Sequence, residues 1–266
     1  MARVHPTAIV AAGATLAEDV VVGPYCIVGP EVVLAAGVSL RAHVVIDGRT
    51  TIGERTRIFP FAAIGSEPQD LKYRGEPSSL VIGRDNTIRE HVTINTGTEG
   101  GGMVTRIGDQ CLLMVGAHVA HDCRIGDGVI MANNATLAGH VVVEDHARLG
   151  GLSAVHQFVR IGRHAMVGGM SGVERDVIPY GQVIGNRARL TGLNIIGMQR
   201  AGYGREDIQA LRAAYQVLFA SGGTLSERVD ETAERFGDIG PVADVVAFIR
   251  ADSTRAICQP KDGASA

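Results

Sequence analysis

The chain has 266 residues and a formal net charge of −3, so no global basic excess marks it for nucleic acid. It contains no apolar run long enough to span a bilayer and no signal-peptide pattern at its start, which makes the cytoplasm the expected compartment. Its four cysteines fit that compartment.

From Val4 an aliphatic residue recurs every six positions, through Val10, Leu16, Val22, Val28, Leu34, Leu40, Ile46, Ile52 and Ile58 to Ile64. Neither a helix nor an ordinary strand produces this spacing. A six-residue period is the signature of a parallel β-helix, in which each hexad forms one flat side of a coil. The fourth residue after each anchor is mostly small or β-branched, so anchor and companion fill a narrow prism. A glycine after many anchors is expected to let the chain turn the corner. If three hexads close one triangular coil, residues 18 apart stack at the strand spacing of ~4.8 Å. Sequence separation then becomes spatial neighbourhood. Aromatics at 4% and the absence of Trp suit such an interior.

The run breaks after Ile64 and resumes in the same phase at Ile82, Ile88 and Ile94. The intervening segment, about 66–79, is polar, contains two prolines and reads as a loop ejected from the coil. A second, Gly-rich break at about 95–105 shifts the phase by one residue. The anchors then continue at Ile107, Leu113, Val119, Ile125, Met131, Leu137, Val143, Leu149, Val155, Ile161, Val167 and Val173. Loops tolerated in a strict repeat usually carry function. The first holds Lys72, one of two lysines among 25 basic residues, beside Gln69 and Asp70. Cys26, Cys111 and Cys123 fall on small interior positions and read as packing residues.

The repeat fades near Pro179. From Gly204 the pattern turns helical, with Ile208, Leu211, Tyr215, Leu218 and Phe219 on one face and Ser221-Gly-Gly223 as a stop. Thr224-Leu-Ser-Glu227 is a capping box opening a second helix, and Pro241 can start a third. The expected organisation is a β-helix over 1–194 and a small helical domain over 195–266 that covers the open strand edges at the end of the coil.

Six of the nine histidines fall between residues 118 and 164. Stacking by 18 places His121 beneath Gly139 and Gly139 beneath Gln157. Adjacent columns hold Asp122, His140 and Phe158, and His118, Thr136 and Ala154. His118, His121, Asp122, His140 and Gln157 therefore converge on one corner, around a glycine with no side chain. An imidazole with a pKa near ~6.5 can accept a proton at neutral pH, which makes His121 a candidate general base with Asp122 to fix its tautomer. The backbone N–H of Gly139 is a candidate oxyanion donor. A zinc site is the rival reading of the same histidines, whereas His146 and His164 read as surface residues.

Gln69-Asp-Leu-Lys-Tyr73 with Gly75-Glu-Pro77, Ala120-His-Asp-Cys123, Ala132-Asn-Asn-Ala-Thr-Leu-Ala-Gly-His140, Ala154-Val-His-Gln-Phe158 and Met166-Val-Gly-Gly169 together resemble the acyl-carrier-protein-dependent UDP-N-acetylglucosamine O-acyltransferases. These enzymes open lipid A synthesis in Gram-negative bacteria. The resemblance covers nearly the whole chain. It implies a mainly β fold, a left-handed parallel β-helix of hexapeptide repeats followed by a small C-terminal α-helical domain. It also implies a homotrimer with active sites in the clefts between subunits. The expected reaction moves an (R)-3-hydroxyacyl group from acyl carrier protein to the 3-hydroxyl of UDP-N-acetylglucosamine, with no cofactor and no metal.

In that reaction His121 would deprotonate the hydroxyl, Asp122 would orient His121, and the Gly139 N–H would hold the oxyanion. Gln69, Asp70, Lys72, His118, His140 and Gln157 match sugar- and diphosphate-contacting positions, and His156, Asn194 and Arg200 match further substrate-side positions. Ile196 and Ala201 depart from the family's pattern at the nucleotide end. Gly169 matches the far end of an acyl groove, with Met170 beside it, so these two are expected to set chain length. Two alternatives stand beside this reading: the same chemistry on a 3-amino sugar nucleotide, and a zinc-dependent enzyme like the γ-class carbonic anhydrases. A related N-acyltransferase carries an N-terminal uridine-binding domain, which is not expected here because the repeat starts at Val4.

Overall fold

The computed structural model describes residues 1–251 and 253–261. Short strands, most of two residues, wind into three sheets of 11, 9 and 8 strands. Successive strands visit the three sheets in turn, as Val21–Val22, Ile27–Val28 and Val33–Leu34 do. Every pairing between coils is parallel, so the body is a three-sided parallel β-helix. The anchor of each strand points inward and is buried while its neighbour faces out, because alternate side chains leave opposite faces of a strand. Ile46, Ile52, Ile58, Leu113, Val119 and Met131 all lie in this aliphatic stack, as do the interior thiols Cys26, Cys111 and Cys123. Only at the open N-terminal end does the rule weaken: Val4 is 43% exposed because no earlier coil covers it.

The 18-residue register holds beyond the loops, where His118 pairs with Thr136 and Thr136 with Ala154. Across the first loop the separation grows to 30, with Ile64 opposite Ile94, and across the second to 25, with Ile94 opposite Val119. The first loop thus inserts two whole hexads and preserves the phase. The second inserts one hexad and one residue, which produces the slip. Its extent is shorter than expected, because strand Val104–Ile107 has already resumed.

Apart from Gly65, whose φ is +81° where the chain leaves for the first loop, the glycines that follow anchors do not turn the corners. Gly23, Gly53 and Gly108 have ordinary φ, and a Cβ on them would strike the backbone of the adjacent coil; at Gly53 it would lie 2.5 Å from the Gly83 carbonyl carbon. Their role is close approach. The left-handed corner residues lie three positions after the anchors and are mostly not glycine. Asp122, His140 and Phe158, with φ of 61°, 62° and 65°, form one such column. Asp, Asn and His tolerate this conformation better than most residues.

The solenoid ends in a hairpin, Gly181–Ile184 against Arg189–Leu193. Four helices follow: α1 (Ile195–Arg200), α2 (Arg205–Leu218), α3 (Leu225–Phe236) and α4 (Gly240–Arg250). The six-residue α1 has too few turns to show an apolar period and escaped the sequence pattern. Thr224 and Glu227 form the capping box of α3. The helices are fastened to the last coils: the Tyr180 hydroxyl donates to Asp244 Oδ2 at 2.5 Å, and the Arg160 guanidinium lies 4.2 Å from the centre of the Phe248 ring. The tail returns to the solenoid, where Cys258 N–H donates to the Asp176 carbonyl. Residues 252 and 262–266 of the expected helical segment lie outside the described residues. Among the described residues no helix is long and apolar enough to cross a membrane.

Candidate active site

The corner between the second and third sheets carries the His121 cluster. Parallel stacking puts His140 over Asp122 and Phe158 over His140. The His140 ring stacks on Phe158 with centroids 4.5 Å apart and meets the His121 ring edge-on at 5.1 Å. Three successive coils therefore hold the cluster in place.

His121 Nδ1 lies 2.7 Å from Asp122 Oδ2. The Asp122 side chain is only 1% exposed, and its oxygens accept two further hydrogen bonds. Thr98 N–H reaches Oδ1 at 2.8 Å and the Thr98 hydroxyl reaches Oδ2 at 2.6 Å. Asp122 N–H in turn donates to Thr105 Oγ1 at 2.8 Å. A carboxylate surrounded by donors acts as acceptor only, so His121 carries its proton on Nδ1 and leaves the lone pair on Nε2. That edge of the ring faces Gly139. A Cβ on Gly139 would lie 2.5 Å from His121 Cε1 and 2.6 Å from Nε2, and φ at Gly139 is not left-handed. The imidazole, rather than the backbone, requires glycine here. Among the described residues no acceptor takes the Gly139 N–H.

His118 and His140 stand beside the pair as half-buried imidazoles. The His118 Nδ1 lies 2.7 Å from Thr93 Oγ1, and burial pushes its pKa down. Burial also pushes His140 down, opposed by the charges of Asp122 and Asp70. Both are thereby biased toward neutral hydrogen-bonding groups. Asp70, whose charge acts on His140, lies on the first ejected loop. That loop is tied at its ends to the second one: Asn95 Nδ2 donates to the Glu67 carbonyl at 2.9 Å, and the Ser78 hydroxyl donates to Thr96 Oγ1 at 3.0 Å. Lys72 N–H donates to Asp70 Oδ1 at 3.0 Å while the Lys72 side chain and Gln69 face solvent. Gln157 is exposed one coil beyond Gly139, and neighbouring His156 turns toward the tail, its Nδ1 2.9 Å from Arg255 Nη2.

Other candidate residues lie on different corners of the same chain. Asn194 and Arg200 line a cleft with His146, Arg148, His164 and Tyr203 between the third and first sheets, with a volume of about 490 Å³. The Asn194 amide is committed to holding that end of the fold: Oδ1 accepts Gly197 N–H at 3.0 Å, and Nδ2 donates to the His164 carbonyl at 2.9 Å. His146 is exposed, as a surface residue should be. His164 is not: it is half-buried in a stack with His146 at 4.9 Å and Tyr180 at 5.7 Å. Gly169 and Met170 occupy the remaining corner, where Met170 is 74% exposed. One chain thus spreads the candidate residues over three corners. Spacing alone does not single out Thr98 and Thr105, since one lies in the loop that breaks the 18-residue register and the other where the strand resumes after it.

The donor atoms of His121, Asp122 and His140 all lie within 4.8 Å of one another, close enough to raise the question of a metal. The geometry points elsewhere. His121 Nδ1 and Asp122 Oδ2 are aimed at each other in a 2.7 Å hydrogen bond, whereas ligands of one ion direct their lone pairs at a shared point with one atom each.

Residues 176–258 match the family model described as UDP N-acetylglucosamine O-acyltransferase, Domain 2, and residues 105–139 match that of the bacterial transferase hexapeptide (six repeats). The chain is 55% identical to the acyl-[acyl-carrier-protein]–UDP-N-acetylglucosamine O-acyltransferase of Azorhizobium caulinodans, over 99% of this chain and 97% of the relative. It is 63% identical to the enzyme of the same name from Methylobacterium radiotolerans, over 77% of this chain and 76% of the relative. The crystal structure of UDP-N-acetylglucosamine O-acyltransferase from Moraxella catarrhalis superposes with a TM-score of 0.89 at 42% identity, covering 96% of this chain and 99% of that one. Likeness of this extent shows the fold to be a left-handed parallel β-helix with a C-terminal helical domain.

Proposed function

The chain belongs to the acyl-[acyl-carrier-protein]–UDP-N-acetylglucosamine O-acyltransferase family, and from that premise we propose how its own residues carry the reaction. The enzyme transfers an acyl group from acyl carrier protein to UDP-N-acetylglucosamine. The acceptor atom is the sugar 3-hydroxyl and the acyl group is an (R)-3-hydroxyacyl chain, so the reaction opens lipid A synthesis in the cytoplasm. The observation that carries this reading is the His121–Asp122 pair set against Gly139.

His121 Nε2 takes the proton of the 3-hydroxyl as the oxygen attacks the thioester carbonyl. Asp122 stabilises the imidazolium that forms, and the Gly139 N–H donates to the oxyanion. Collapse of the tetrahedral intermediate breaks the C–S bond, and the imidazolium returns its proton to the departing thiolate of the carrier protein. His118 and His140, biased toward the neutral form, offer hydrogen bonds to sugar hydroxyls without repelling the imidazolium. Asp70 and Lys72 on the first loop serve the sugar and its diphosphate. The spread of candidate residues over three corners supports a homotrimer, in which the Asn194–Arg200 cleft and the Gly169 corner of one subunit border the His121 corner of another.

Mass spectrometry of the product from acyl carrier protein loaded with a ladder of 3-hydroxyacyl groups tests the reading. The expected product is UDP-N-acetylglucosamine acylated on oxygen. Acylation only of the 3-amino sugar nucleotide would reassign the acceptor, and stoichiometric zinc required for turnover would replace the mechanism. Light scattering of the purified protein should give three times the chain mass of 27.9 kDa.

A further inference from the structure

We propose that Thr98, on the second ejected loop, is a positioning residue that commits Asp122 to His121; the proposal rests on the general-base reading above. Asp122 sits between two imidazoles. Its Oδ2 is 2.7 Å from His121 Nδ1 and 3.8 Å from His140 Nε2. A small rotation of the carboxylate would exchange one partner for the other. Thr98 opposes that rotation by gripping both oxygens at once, with its N–H on Oδ1 and its hydroxyl on Oδ2. Thr98 is itself fixed, since its carbonyl accepts the N–H groups of Gly101 and Met103 at 3.1 and 2.9 Å.

The rest of the loop is shaped to the same carboxylate. A Cβ on Gly101 would overlap the Asp122 side chain, although φ at Gly101 is not left-handed, so the glycine is there to let the carboxylate in. Thr105, where the loop rejoins the coil, accepts the Asp122 N–H at 2.8 Å. The loop therefore meets Asp122 through its backbone, through both carboxylate oxygens and through the space beside them. An insertion serving only as a surface loop would need none of these contacts. The chemistry explains the arrangement: a carboxylate that wandered to His140 would release the Nδ1 proton of His121, and Nε2 would no longer be the fixed acceptor.

The test compares Thr98→Val, which keeps the shape and the N–H but deletes the hydroxyl, with Thr98→Ser, which restores it. Thr98→Val should lower kcat roughly tenfold, the scale of losing one charge-assisted hydrogen bond, with KM for the sugar nucleotide within about twofold. Thr98→Ser should recover kcat to within about twofold. In protein labelled with 15N-histidine, the His121 ring should show one tautomer in wild type and Thr98→Ser, and mixed tautomers in Thr98→Val. The ring spectrum reads the proposal even if no acyl transfer is found, so failure of the proposed function is separable from failure of this inference. Unchanged kcat and an unchanged ring spectrum in Thr98→Val would overturn it. So would a Thr98→Ser variant as impaired as Thr98→Val, which would point to the methyl group. Should Thr98→Val not fold, the same readings on Thr98→Ala decide.

Discussion

Gly139 and His121 compete for one volume: the imidazole lies where the first atom of any side chain on Gly139 would go, 2.5 Å from Cε1 and 2.6 Å from Nε2. Gly139→Ala must therefore push the ring aside or shift a coil packed above and below. The expected result is a folded protein, destabilised by about 1–3 kcal/mol through overpacking. Turnover should fall on the order of 10²-fold, because a misplacement of about 1 Å at a reacting group costs that much. Steady-state kinetics and a thermal melt check both. Turnover within a few-fold of wild type would mean that the ring position is not critical.

The acyl chain supplies a second test. Gly169 lies on an exposed corner, and a Cβ there would approach the Gly151 carbonyl oxygen at 3.2 Å, tight but open on the solvent side. If an acyl groove ends here, Gly169→Met should fill it and move the preferred donor to a shorter chain, by roughly 1–3 kcal/mol against the longer one. Competition among carrier proteins bearing ten-, twelve- and fourteen-carbon groups measures this. An unchanged order of preference would remove Gly169 as the determinant of length.

Stability should depend on pH through the histidines. Burial holds the folded-state pKa values of His118, His140 and His164 below the ordinary value, so in the window just below ~6.5 the unfolded chain binds protons that the folded one does not. Unfolding free energy then rises with pH across that window and is lost as pH falls through it. The carboxylates held low, such as Asp85 and Glu90, act only at more acidic pH. Urea unfolding at fixed protein concentration should therefore show lower stability at pH 5.5 than at pH 7.5, with a smaller difference in His118→Asn. Equal stability at the two values would contradict the assignment.

The thiols should be inert in the folded state. Burial pushes Cys111 to about 11 and Cys123 to about 12, so neither offers thiolate near neutral pH. A thiol reagent at pH 7.5 should label them only after unfolding; rapid labelling of the native protein would refute their burial.

Much of this was legible in the sequence because the repeat is so regular. From Ile107 to Val173 nothing interrupts the hexads, so the 18-residue offset correctly laid His121 against Gly139 and Asp122 against His140. The legible part ended where the offset did. Thr98 lies in an insertion, 24 residues before the aspartate that it grips, a separation that no periodicity predicts. The reason for glycine after the anchors was equally hidden, because close approach between coils and left-handed backbone leave the same residue in the sequence. Asn194 shows the converse limit: the position was readable, but its cap on α1 emerged only from the fold.

In the proposed mechanism everything turns on His121 removing the proton from the acceptor hydroxyl. Single-turnover acyl transfer, with enzyme in excess over acyl carrier protein and UDP-N-acetylglucosamine saturating, measures that step apart from binding and release. For His121→Asn, with sugar-nucleotide binding unchanged by calorimetry, the expected rate is lower by on the order of 10²-fold or more, the usual contribution of a general base. A His121→Asn rate within a few-fold of wild type would contradict it.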